Sequence, residues 1–181
     1  MRLQGTLDRN DLSEKMVLLP GVASTPAVKT DSEEAINLVV GYDTSPNSHT
    51  ALDLTLWIAH QTRLVTRKPV IVQVVHVVNH NQIELFEQTD RFQQAHYLAQ
   101  EWGGNLKTHL RHGSVSTELR KVVEVEAAAL LFLGCSSVEH PVIQELGYDF
   151  PCPVLGIPNA LTTKQAIEER IECLMQPSNF S

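Results

Sequence analysis

Three stretches of this chain are apolar almost from end to end: "INLVVGY" at 36–42, "VIVQVVHVV" at 70–78 and "AALLFLG" at 128–134. A strand with one wet face alternates apolar and polar residues, whereas a strand covered on both faces has no reason to. Three such runs require layers of helix above and below one sheet. The segments between them carry helical spacing. Ser45 before Pro46 is an N-cap followed by a first-turn proline, and Leu52, Leu56 and Ala59 continue one stripe to about Arg63. Residues 83–102 place Leu85, Phe86, Phe92, Ala95, His96 and Ala99 at helical spacing before Gly103-Gly104. "NLKTHLRH" alternates as a strand, "SVSTELRKVVEVE" starts a helix, "HPVIQELGY" is a short helix, and "CPVLGI" is a last strand. The resulting β-α-β-α-β-α-β-α-β order predicts a doubly wound, five-stranded parallel sheet in a three-layer α/β/α domain. Ligands of such sheets sit beyond the carboxyl ends of the strands, where the strand order reverses. In a 3-2-1-4-5 order the turns there are "GYDTSPNS" and "GCSSVEHP", with His76 and Val77 at the end of the second strand.

Charge and composition exclude several classes. The net charge of −7 and pI near 5.6 argue against a nucleic-acid binder, because the 14 Lys and Arg residues are scattered rather than clustered. The apolar run "AAALLFLGC" is too short to span a bilayer, and the N-terminal residues have no signal-peptide core. Cysteines 135, 152 and 173 share no metal-ligand spacing, and their odd number suits a reducing cytoplasm. His109 and His112, three apart on a strand, face opposite ways and make no metal pair, while His76 reads as a satisfied core histidine. Cys135 follows a strand with no base beside it and reads as a buried inert thiol. No Ser-His-Asp order, carboxylate pair or Cys-x-x-Cys is present, so no catalytic residue is expected.

The chain divides into three parts: an N-terminal extension at 1–34, a domain at 35–158 and a C-terminal extension at 159–181. The first is rich in turn residues and has one apolar cluster, "KMVLLPGV", suited either to the domain's own surface or to a partner protein. The last contains an amphipathic segment at 161–175 with Ile167, Ile171 and Leu174 on one face, suited either to its own sheet or to a partner protein.

Four segments in order carry a resemblance. "LVVGYDTSPNSHTALDLTLWIA", "VIVQVVHVV", "LLFLGCSS" and "PCPVLGIP" resemble the strands, Asp-x-Ser turn and loop of the universal stress protein family, over about 36–158. The resemblance implies a flavodoxin-like, adenine-nucleotide-hydrolase-like domain, of which some members bind ATP. It implies that Asp43 faces the ribose, that Gly41 and Val77 flank the adenine, and that Gly134 opens the phosphate loop, with Ser136 and Ser137 offering hydroxyls to an anion. The bare-residue reading of Asp43 is a turn residue capping the next helix. ATP-binding members carry Gly-x2-Gly-x9-Gly-[Ser/Thr]. Here the second glycine falls on Ser137, and counting on puts Gly147 third with Tyr148 in the hydroxyl place. Anchoring on "PCPV" instead puts Gly147 in the last helix and shortens the loop, which suits a fold that still needs that helix. Either way the cradle lacks glycines whose backbone freedom lets N–H groups close on phosphate. The expectation is a non-enzymatic, cytoplasmic stress-response or regulatory protein acting through protein contacts, with a degenerate nucleotide pocket. No cofactor is expected beyond weakly held ATP or AMP; the alternative is an ATP or AMP sensor, and a slow ATP hydrolase ranks below it. The resemblance further implies a homodimer through the edge strand 154–157.

Overall fold

The computed structural model describes residues 16–21, 35–78, 105–135, 137 and 139–158. Strand β1 is Val17–Leu19, β2 is Ile36–Gly41, β3 is Val70–Val78, β4 is Asn105–His112, β5 is Leu130–Gly134 and β6 is Val154–Ile157. Helix α1 is Pro46–Thr66, α2 is Val115–Val125 and α3 is Pro141–Leu146. The helix expected over 83–102 and the whole 159–181 extension lie outside the described residues.

Strands β2 to β6 pair in parallel in the order β4-β3-β2-β5-β6, which is the expected arrangement. A sixth strand corrects the expected count: β1 joins the far edge antiparallel to β6. Three residues are too few to show a period in sequence, and their apolar character was the only signal. The strand lies along the edge at which a second copy was expected to pair. The edge of Val154–Ile157 is already taken by Val17–Leu19 of the same chain.

Side chains alternate between two faces along each strand. Leu38 and Val40 of β2, Val72 and Val74 of β3 and Phe132 of β5 pack under α1. Val39, Val75, Leu131 and Leu133 pack under α2 and α3. Every central strand is therefore lined by apolar residues on both sides, which is why its sequence does not alternate.

Helix α1 starts where its sequence indicates. The Ser45 Oγ accepts from the Ser48 N–H at 3.2 Å, and Pro46 opens the helix. It runs past Arg63 and stops at Arg67, whose φ of 58° is the left-handed C-cap conformation. Helix α2 is fastened to α3 by Arg120. Its guanidinium donates to the carbonyls of Leu146 at 3.1 Å and Asp149 at 3.2 Å, and lies 5.2 Å from the centre of the Phe150 ring. These contacts hold the two helices that wall the crevice above β2 and β5.

Candidate functional site

At the carboxyl ends of β2, β3 and β5, where the strand order reverses, the chain leaves a cavity of about 120 Å³. Gly41, Asp43, Val77 and Gly134 all line it. Ser137 is exposed and does not line it, while Ser136 lies outside the described residues. The remaining wall comes from residues that the sequence did not single out as ligand contacts. Val115 and Leu119 reach it from α2, Leu133 from β5, and His140 and Val142 from the start of α3. No local pattern marks them, because only the packing of α2 and α3 on the sheet brings them there.

One wall is the turn between β2 and α1. The Asp43 Oδ1 accepts from the Ser45 N–H at 2.9 Å, so its side chain closes an Asx-type turn, with Thr44 at φ 67°. The Ser48 Oγ donates to the Ser45 carbonyl at 2.9 Å and accepts from the Asp43 N–H at 3.4 Å. Burial pushes the Asp43 carboxyl up, but the hydrogen bonds from Ser45 and Ser48 outweigh it and hold the group below the usual carboxylate range. Asp43 is thus a turn residue whose charge is stabilised locally; Ser45 is the residue that caps α1. Behind it Tyr42 is buried, and desolvation, then Asp43 and Asp53, push its hydroxyl up to about 12. The Tyr42 hydroxyl shares a hydrogen bond with His49 Nδ1 at 3.3 Å, and the Tyr42 carbonyl accepts from His76 at 2.6 Å. His76 is the satisfied core histidine its strand position implies.

Gly134 has a packing reason of its own. A Cβ at this position runs into the backbone of Asn47 and Ser48. The end of β5 and the first turn of α1 approach more closely than any side chain permits. Gly41 lies beneath Leu133, whose Cδ2 is 2.6 Å from where a Cβ would stand. Gly147, at φ 71°, ends α3, which fits the alignment that keeps a helix before the last strand.

The polar inventory of the cavity is short. No Lys or Arg lines it among the described residues. His140 Nδ1 is buried without a hydrogen-bond partner. Burial pushes the Cys135 thiol up to about 11 and the Cys152 thiol up to about 12, so neither is a thiolate nucleophile near neutral pH. No cluster of metal-ligating residues occurs among the described residues, and His109 turns away from His112 to bond Gln73 Oε1 at 2.8 Å.

Solved structures place this frame. A universal stress protein family member from Burkholderia pseudomallei is similar at a TM-score of 0.50 and 22% identity, covering 71% of this chain and 98% of that one. The chain has the universal stress protein fold. A universal stress protein family member from Arabidopsis thaliana, solved with AMP bound, is similar at a TM-score of 0.51 and 14% identity, over 68% of this chain and 92% of that one. A universal stress protein in complex with cAMP is similar at 0.52 and 18%, over 68% and 97%. No protein-family model and no curated protein matches the chain. Among the described residues no helix is long and apolar enough to cross a membrane.

Proposed function

We propose that this protein is a universal stress protein of the non-enzymatic kind, which acts by contact with other proteins and does not hold ATP by its phosphates. The observation that carries this reading is Gly134. The glycine that would open a phosphate loop is spent on the contact between β5 and the backbone of Asn47 and Ser48. Helix–strand approach is a use of glycine separate from phosphate approach, and it accounts for Gly134 without a ligand. Two features agree. The cavity of about 120 Å³ is below the roughly 300–1,000 Å³ of ordinary small-molecule sites. No cation among its described lining balances a triphosphate. Leu119 and Leu133 fill the space above Gly41 instead.

Titration with ATP tests the reading. Stabilisation follows RT ln(1 + [L]/Kd), so millimolar ATP is expected to raise Tm by less than about 2 °C. A calorimetric Kd for ATP below about 10 μM would overturn the reading.

A second reading, an AMP-class sensor, draws on a different observation. Gly41, Asp43, Val77 and Gly134 converge on one cavity in which the His140 Nδ1 lacks a partner. A ligand the size of a nucleobase or nucleoside, rather than ATP, suits that space. AMP, cAMP and adenosine belong in the same titration. Micromolar binding of one of them, lost in Asp43→Ala, would put the sensor first.

A further inference from the structure

The sheet ends in an unusual way for a strand that carries apolar residues to its edge. Strand β6, "VLGI", presents its outer backbone edge to β1 and to no other described strand. Exposed apolar edges template pairing with another chain, and proteins commonly cover them. Here the cover comes from the N-terminal segment, and its details are specific.

Strand β1 pairs antiparallel, with Val17 opposite Gly156, Leu18 opposite Leu155 and Leu19 opposite Val154. Two copies of β6 related by a two-fold axis would also pair antiparallel. Centred on Leu155, they would set Val154 of a second copy opposite Gly156 and Leu155 opposite Leu155. The Val17-Leu18 of β1 repeats the Val154-Leu155 of β6 in that same register. The fit extends to side chains. Gly156 has no side chain beneath Val17; a Cβ there would run first into the Cys135 Sγ and would lie 3.0 Å from the Val17 Cβ. Beyond the strand, Gly21 lies so close to Cys152 and Pro153 that a Cβ would run into their backbone. Met16 packs with the α1-side core and Leu19 with the α2-side core, while Val17 is buried.

We infer that β1 is a stand-in for the edge strand of a second copy, occupying β6 in a register open to a two-fold partner and keeping the chain from pairing with itself. The strap is short, and Leu18 is 65% exposed. Paired on one side only, at the rim of the sheet, it opens more readily than the strands it covers. Its release leaves "VLGI" as a free apolar edge whose best-matched partner is another copy of that edge.

Sedimentation velocity at about 50 μM, a concentration at which a micromolar dimer is mostly formed, tests the inference. The full chain is expected to be a monomer. A chain beginning at residue 22 is expected to be a dimer, and adding a peptide of residues 15–22 in excess returns it to monomer. If the shortened chain loses its far-UV circular dichroism, the full chain carrying Gly21→Val takes its place, since the added side chain displaces the strap without shortening the protein. A dimeric full chain overturns the inference. So does a folded, monomeric shortened chain, or a dimer that ignores the peptide.

Discussion

Glycine 134 illustrates how one residue can look like a ligand contact and be a packing contact. The family resemblance makes this glycine, at the end of an apolar strand, the first residue of a phosphate loop. In the fold its missing side chain admits the backbone of Asn47 and Ser48. Gly134→Ala must therefore push helix α1 off β5. Overpacking against rigid backbone costs up to about 3 kcal/mol, so the midpoint of urea unfolding should fall sharply in the absence of any ligand. Unchanged stability with altered nucleotide binding would return the glycine to a ligand role. Asp43 is the opposite case, because the sequence already allowed for the turn role that it fills. Its Oδ1 and the Ser45 N–H are two residues apart, close enough that local sequence specifies the contact.

Between elements, buried polar contacts fix how α2 returns to the sheet. Gln73, fully buried in β3, donates through Nε2 to Asn37 Oδ1 at 3.1 Å and to Glu126 Oε2 at 2.8 Å. Its Oε1 accepts from His109 Nε2 on β4, so the imidazole carries its proton on Nε2. Asn37 Nδ2 in turn donates to the Glu126 carbonyl at 2.8 Å, holding the exit of α2 where Ala127 adopts φ 47°. Burial lowers the basicity of His109; Glu126 opposes this, and Arg111 and Lys107 add to it, for a net fall below the usual histidine value. The folded chain therefore binds its proton less readily than the unfolded chain. The stabilising contribution of neutral His109 is present above its ordinary pKa near 6.5 and is lost as pH falls below that value. Unfolding free energy measured between pH 7.5 and 5 should decline on this account, and His109→Gln should flatten the decline. An identical slope in the variant would remove His109 as its source. None of these partners is legible in sequence, because Asn37, Gln73, His109 and Glu126 come together only across three strands and a helix end.

At the scale of the whole molecule, the two cores on either side of β2, β3 and β5 form the stable unit, and β1 is an attachment to its rim. Hydrogen exchange should reflect that division. Amides of 38–41, 72–77 and 131–134 are expected to exchange only through global unfolding, and those of 17–19 through local opening at a much lower free energy. Equal protection of both sets would make the strap an integral part of the cooperative unit. The parallel sheet could be read from the residues alone, because burial on both faces removes polar residues from a strand whatever its neighbours are. So could the start of α1 and the Asx-type turn at Asp43, since each depends on residues a few positions apart. What surrounds the crevice and what covers the sheet edge follow from long-range packing instead. Leu119, Leu133 and His140 reach the cavity through the packing of separate elements, and Val17–Leu19 reaches β6 across more than a hundred residues of chain. Contacts of that kind depend on where the rest of the chain has gone, and no local period in the sequence records it.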